Sequence, residues 1–498
     1  MIQSKRIRVR FAPSPTGELH LGSARTALFN YLFAKHNKGK FLLRIEDTDH
    51  ERSHKAHVEQ AISSVKWLGF MPDEEIVFQS NRSNLYKKYL NHLLGNGDAY
   101  RCFASKEELK KIRMKTNSYQ YNGLWRDRSD KDINDQLDKG LPYTIRLKTP
   151  RKGHISFEDL IYGEIKISNN EIDDFIISRS DGSPVYNFTN VVDDHEMKIS
   201  HVIRGEDHIS NTPKQLHIYK SLGIKTPLFA HLPMILGVDK KKLSKRHGAE
   251  SVESYRHSGF QSAPLVNYLA LLGWNPGDNE EIIDLQELIS KFDVRKVQKK
   301  SAVFDPKKFS WISSHYLQKE EAQSIFTKIR SFDSGWGASY KDTFCLRVIE
   351  LMKPRADSIQ EIMLKSQYFF FDDYLPHKLS SKMIAARIMY GLFLTPLPKR
   401  TNASVPGMMP SVVPRIKSTR GIFVAPAIYP TTSKGVYASL SKSTVPKPFF
   451  CIELASAKAA TDSPILVPCN QTIVPSGRNF FEIPYLSLSL YLSSLPFF

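Results

Sequence analysis

The chain has 498 residues, a formal net charge of +19, a pI near 9.5 and four cysteines. That length exceeds one ordinary domain, predicts three to five, and is ample for sizeable cores. The positive balance suits a polyanionic partner, nucleic acid first, against the blander reading of a basic protein without one, and Cys102, Cys345, Cys451 and Cys469 lack the spacing of a disulfide framework.

From the N-terminus, MIQSKRIRVR enters a strand without an apolar leader, and no apolar run approaches membrane-spanning length. The expected location is cytoplasmic, with no membrane partner. Ile7, Val9 and Phe11 alternate with Arg8, Arg10 and Ala12, the period of a strand with one apolar face. Pro13, Pro15 and Gly17 break it into a tight loop. From Ser23, Ala24, Ala27, Leu28, Tyr31 and Leu32 trace a helical stripe, with Gly39 expected as its C-terminal cap. A second strand, 41–45, ends in Glu46-Asp47-Thr48-Asp49. This is one βαβ unit of the kind that builds nucleotide-binding sheets.

Its loop chemistry is specific. His20 and Gly22 stand at the helix mouth, where unpaired N–H groups and the helix dipole favour anions. Gly22 lets a ring or phosphate approach the backbone. Neither GxxxxGK[ST] nor GxGxxG occurs in the chain, so the common phosphate and dinucleotide fingerprints are absent. The blander reading is a well-made turn.

Further along, 56–70 and 85–94 are amphipathic helices. Residues 100–185 look like an insertion between sheet halves, with strands at 143–149, 154–161 and 173–178 punctuated by Gly and Pro. The sheet is expected to resume over 186–205, and Thr212-Pro213 to open the next helix with proline at its first position. Residues 240–248, KKKLSKRHG, make a basic loop closed by Gly248. Two ammonium groups three residues apart, on Lys242 and Lys245, can straddle a triphosphate. A basic run is otherwise a solvated surface. Helical segments follow at 263–272, 285–292 and 344–370, with Gly259-Phe260 as a stop. Residues 391–498 then hold fourteen of the chain's 28 prolines and three acidic residues, without a helical period or an internal repeat.

Taken together, His20-Leu21-Gly22-Ser23 and the 242–246 run resemble the two signatures of class I aminoacyl-tRNA synthetases. FAPSPTGELHLGSARTALFNYLFA, FLLRIEDTD, SPVYNFTNVVDDH and VIRGEDHISNTP resemble bacterial-type glutamyl-tRNA synthetases in particular, from about Arg6 to Tyr374. The resemblance implies an α/β fold: a Rossmann-type parallel sheet with an inserted acceptor-binding domain, then α-helical stem-contact and anticodon-binding domains. The expected division is 1–99 and 186–250 for the two halves of the catalytic domain, with 100–185 inserted. Residues 251–320 form the stem-contact domain, 321–378 a first anticodon-binding domain, and 379–498 an atypical, disordered tail.

The same resemblance implies ATP, magnesium carried with it, L-glutamate and tRNA(Glu) as reactants and a monomeric enzyme. Arg10, Ala12, Ser14, Glu46, Tyr186, Asn190 and Arg204 would hold glutamate. His20, Gly22, Glu206, Lys242, Ser244 and Lys245 would hold ATP, and His20, Gly22, Lys242 and Lys245 would assist the reaction. The residue types suit the task. Two arginines match two carboxylates, and Glu46 matches an ammonium. The competing readings are a salt bridge on an edge strand for Arg10 and a helix cap for Glu46. Arg355 would lie near the anticodon's last base, or else satisfy helix-terminal carbonyls. Some family members hold zinc in the insertion; with Cys102 but Ala104 and Trp125 here, no structural zinc is expected. Three alternatives are a paralogue that glutamylates a tRNA nucleotide, a glutaminyl-tRNA synthetase, and a tRNA-binding remnant impaired by its tail.

Overall fold

The computed structural model describes residues 7–48, 54–243, 251–277 and 279–370, and the backbone of 437–442 and 450–455. The first βαβ unit forms as expected: β1 Arg8–Phe11, α1 Leu21–His36 and β2 Lys40–Ile45, with β1 and β2 parallel in the register Arg8↔Lys40. Helix α1 begins two residues before Ser23 and buries ten of its sixteen residues, on more than one face. Gly39 does not take the left-handed cap. Lys38 does, at φ 52°, while Gly39 N–H donates back to Ala34 O at 2.8 Å. The glycine serves close approach instead, since a Cβ there would lie 2.5 Å from Ile7 O.

The chain continues through α2 Lys55–Trp67, β3 Val77–Phe78, which joins β2 in parallel, and α3 Ser83–Gly95. Residues 100–185 then do two things. β4 Ala99–Cys102, β5 Thr144–Leu147 and β8 Ile176–Ser178 form a separate antiparallel sheet, with α4 Lys106–Thr116 and α5 Asp130–Asp138 between the first two strands. The hairpin β6 His154–Asp159 and β7 Gly163–Ser168 leaves that layer. It pairs through β6 with the second half of the parallel sheet, ahead of the resumption expected at 186.

Residues 186–196, expected in the resumed sheet, are a helix, α6 Tyr186–Glu196. Phe188, Val191 and Val192 sit on its apolar side, but Thr189, Asn190, Asp193 and Asp194 are buried too. Paired polar residues fill the opposite face, which hides the helical period in the sequence. β9 His201–Gly205, α7 Thr212–Ser221 with its early proline, and β10 Leu228–Leu232 follow. β9 and β10 are parallel, giving the order β7-β6-β10-β9. β9 lies beside β1, tied by Ser200 N–H donating to Arg8 O at 2.9 Å and Arg8 N–H donating to Ser200 Oγ at 2.8 Å.

β11 Ile235–Leu236 leads from the sheet toward α8 Val252–His257, α9 Ser262–Leu271 and α10 Leu285–Lys291. The turn at Gly259, with φ 73°, ends the first of these as expected. β12 Ala302–Val303 pairs with β11, and α11 Pro306–Lys319 follows. One core joins the sheet to these helices: Phe29 of α1 meets Phe292 edge-on at 5.2 Å, with Trp274, Leu265 and Leu269 around them. A second core sets α3, α6 and α7 against the antiparallel sheet.

A third core is built by α12 Ala322–Phe332, α13 Asp342–Met352 and α14 Ile359–Ser366 around Ile325, Ile329, Val348, Ile349 and Ile362. Pro354, in the short turn Lys353–Arg355, breaks the continuous reading of 344–370 into two helices. Internal contacts divide the chain into Met1–Lys399 and Arg400–Phe498. In the latter, β13 Tyr437–Lys442 and β14 Phe450–Ala455 form an antiparallel ladder. The rest of the tail assigned to 379–498 lies outside the described residues.

Candidate active site

The carboxyl ends of β1, β2, β9 and β10 open onto one cavity of about 1040 Å³, closed on its other sides by α6 and the N-terminus of α1. Crevices at this end of parallel sheets are where α/β folds bind ligands. Arg10, Ala12, Ser14, His20, Gly22, Glu46, Tyr186, Asn190, Arg204 and Lys242 all line it. Residues spread over more than 230 positions of sequence are thus brought together. Glu206 is not brought in. Its carboxylate turns to Met234 N–H, which donates at 2.7 Å, and to the Tyr162 hydroxyl, while its neighbours Gly205 and Asp207 face the cavity. Ser244 and Lys245 lie outside the described residues. Arg355 is remote, exposed in the third core's helical layer, and donates through Nη1 to Leu351 O at 3.5 Å. That contact is the helix-terminal role.

Helix α6 places Tyr186, Asn190 and Asp194 at i, i+4 and i+8, on one face toward the sheet ends. Asp194 receives Arg10 through Nε at 2.9 Å and Nη2 at 3.2 Å, and Arg44 Nη1 at 2.6 Å. Arg44 Nη2 donates to Glu46 Oε1 at 3.0 Å, and so does Asn190 Nδ2. Asp193 closes the network outward, accepting from Gln79 at 2.7 Å, Arg82 at 2.7 Å and Tyr86 at 2.8 Å. Arg10 is therefore a salt-bridged residue, though in the buried centre of the sheet rather than on an edge strand. Burial works against the charge of Asp194, yet the guanidiniums of Arg10 and Arg44 hold its carboxyl below the ordinary value. At Glu46 burial wins over Arg44, and the carboxyl is pushed up.

Arg204 differs from Arg10 in having no carboxylate on it among the described residues. Nε donates to His231 Nε2 at 3.2 Å, Nη2 donates to Thr212 Oγ1 at 2.8 Å and to His208 O at 3.5 Å, and the buried Nη1 has no partner among the described residues. Burial lowers its pKa, the mark of a cation whose charge is poorly matched. Beside it the Tyr186 hydroxyl meets His208 Nδ1 at 3.1 Å, and burial, then Arg204, press the imidazole down to about 4, so it is neutral. The floor is thus one paired arginine, one unpaired arginine and one carboxylate.

On the nucleotide side, His20 is the N-cap of α1 in extended conformation and its side chain makes no capping bond. The first N–H groups of α1 therefore lack a side-chain cap at the cavity wall. A Cβ on Gly22 would project into open space, with nothing within 4 Å. Lys242, exposed, holds its ammonium 4.0 Å from Asp207 Oδ2 at the rim. Arg25, one turn into α1, is buried and donates to Leu272 O at 3.0 Å and to Pro233 O, joining the cavity wall to α9. Among the described residues, no three His, Cys, Asp or Glu side chains converge on a metal position. Cys102, in the antiparallel sheet, is a buried free thiol that donates to the Tyr121 hydroxyl oxygen at 3.3 Å.

Residues 6–311 match the family model for the catalytic domain of class I tRNA synthetases (E and Q). The chain belongs to this family. It is 46% identical over 383 residues to the glutamate--tRNA ligase 2 of Caldicellulosiruptor saccharolyticus, covering 74% of this chain and 80% of that one. Similarity to the glutamate--tRNA ligase of Aquifex aeolicus is likewise 46%, over 390 residues, 76% of this chain and 81% of that one. A solved structure of a glutamate tRNA ligase from Elizabethkingia meningosepticum, in complex with its amino acid, superposes with a TM-score of 0.70 at 35% identity. It covers 76% of this chain and 82% of its own. Family members of this kind are ATP-using aminoacyl-tRNA ligases. Neither a nucleotide-modifying paralogue nor a remnant is favoured by these relatives.

Several functional candidates escaped the sequence reading: Arg44, Asp193, Asp194, Asp159 and His231. Arg44 carried a signal, since a charge between Leu43 and Ile45 on an otherwise apolar strand needs a buried partner. Asp194 and His231 carried less, because their partners lie 184 and 72 residues away.

Proposed function

We propose that the chain activates L-glutamate with ATP and transfers it to the 3′-terminal adenosine of tRNA(Glu), acting as a monomer. The observation that carries this reading is Arg204, a buried guanidinium of the cavity lining whose Nη1 has no partner among the described residues. A small dianion fits such a site. One substrate carboxylate docks on Arg204, and Arg10, held flat by Asp194, faces the other. The ammonium docks on Glu46, which Arg44 and Asn190 hold in place. Ala12 and Ser14 supply backbone and hydroxyl edges, and Tyr186 walls the side.

ATP lies over His20 and Gly22, with Lys242 on its phosphates; Ser244 and Lys245, next in sequence, are assigned the same role by the family motif. Magnesium enters as part of the nucleotide substrate. The glutamate carboxylate is ionised at neutral pH and attacks the α-phosphorus without a general base. Its oxygen forms the new bond while the bond to pyrophosphate breaks, giving glutamyl-adenylate. A ribose hydroxyl of the terminal adenosine then attacks the acyl carbon and AMP leaves. Alignment and charge neutralisation supply the catalysis. ATP–pyrophosphate exchange, with tRNA present and with glutamate compared to glutamine, tests this. Glutamate-dependent exchange is expected, whereas exchange with glutamine alone would reject the substrate.

A further inference from the structure

The position of Arg204 depends on a chain of buried groups behind it. A guanidinium only donates hydrogen bonds, so His231 Nε2, 3.2 Å from Arg204 Nε, must present a lone pair. The ring proton therefore sits on Nδ1, where Asp159 Oδ2 accepts it at 2.6 Å. Asp159 is itself fixed by backbone N–H groups: Ile161 at 2.9 Å and Tyr162 at 3.0 Å donate to Oδ1, and His231 at 3.1 Å donates to Oδ2. The three side chains come from β6, β10 and β9, adjacent strands of one sheet.

We propose that Asp159 and His231 form a positioning relay that fixes the imidazole tautomer behind Arg204 and so aims its unpartnered Nη1 at the substrate carboxylate. This deepens, and rests on, the assignment of Arg204 as a carboxylate-binding group. The logic lies in the charge of each member. A carboxylate placed directly on Arg204 would orient it but also neutralise it, and would compete with the substrate. A neutral imidazole orients the guanidinium and leaves its charge available. Burial pushes His231 below the ordinary histidine value, in keeping with a neutral ring. The plainer role of a satisfied core histidine does not account for a neighbouring guanidinium left one donor short at the edge of a cavity.

The test uses tRNA-dependent ATP–pyrophosphate exchange with the full chain, varying glutamate and ATP separately. His231→Asn keeps a donor near the Nδ1 position for Asp159 and has nothing at Nε2; His231→Gln places an amide oxygen near Nε2. The relay predicts a KM for glutamate raised about tenfold or more in His231→Asn, with kcat and the KM for ATP within about twofold, and most of the affinity retained in His231→Gln. Asp159→Asn should raise the same KM with the ring still present. Its amide N–H facing Nδ1 drives the ring proton to Nε2, donor against donor with Arg204. It decides the matter if His231→Asn does not fold. Equal damage by both histidine variants, with kcat and the KM for ATP moving together, would assign His231 a purely structural role and overturn the relay. Arg204→Met, run in parallel, separates the two layers. An unchanged KM for glutamate there removes the carboxylate role itself. A raised KM there, with none in His231→Asn and Asp159→Asn, removes the relay alone.

Discussion

Replacing Arg204 by methionine should separate stability from function in opposite directions. The side chain is 5% exposed, carries no carboxylate partner, and has one buried donor unsatisfied. Methionine keeps most of its length and removes the unmatched charge. Three hydrogen bonds are lost, to His231, Thr212 and the His208 carbonyl, but the Thr212 hydroxyl, 3.1 Å from His231 Nε2, can still donate to the ring. Relief of an uncompensated buried charge is worth several kcal/mol before those losses, so the net change is expected to be neutral or stabilising by about 1–2 kcal/mol. The bound state loses a charge-assisted pair, a cost of about 2–5 kcal/mol, or roughly 30- to several-thousand-fold in apparent affinity for glutamate. Thermal unfolding and exchange kinetics measure the two sides. A melting temperature several degrees lower, with an unchanged KM for glutamate, would refute the reasoning. Preference for glutamate over glutamine should shrink if Arg204 holds the side-chain carboxylate, whereas equal loss for both would assign it to the α-carboxylate.

Glu46, pushed up by burial despite Arg44, should make glutamate binding acid-sensitive. As pH falls through its raised value, the protonated carboxyl no longer holds the substrate ammonium and the KM for glutamate rises. Glu46→Gln should bind more weakly with a flat profile, and a wild-type KM that stays constant down to the acid limit of the folded enzyme would exclude the ammonium role. Lys245→Ala should slow adenylate formation by about 2–4 kcal/mol of barrier with little change in glutamate affinity, because the phosphate charge it meets grows in the transition state. A raised KM for glutamate with unaltered kcat would contradict that. Charging of transcripts differing only at the anticodon's last base should depend on Arg355. Equal rates for both in the wild type would leave its contact with Leu351 O as its whole role.

The elements of the catalytic half were legible in sequence because local rules fix them. The alternation of Ile7, Val9 and Phe11, the turn at Pro13–Gly17 and the proline opening α7 each act within a few residues. The residues of the cavity were named through the family resemblance, whose motifs lie in contiguous stretches around strand ends and α6. Where the structure departs from the sequence, long-range packing prevails. Residues 186–196 show no clean helical stripe because α6 buries polar groups against arginines contributed by β1 and β2. Gly39 was read as a helix cap, but its reason is the Ile7 carbonyl across the turn. Only the tertiary structure decided how the two arginines differ. Arg10 and Arg204 look alike in sequence, each an arginine next to the last residue of a strand. Asp194, 184 residues from Arg10, neutralises the first, while a neutral imidazole from β10 holds the second and leaves its charge for a ligand. Sequence sets which groups can ionise; the distances at which the fold brings their partners determine which charge remains unmatched.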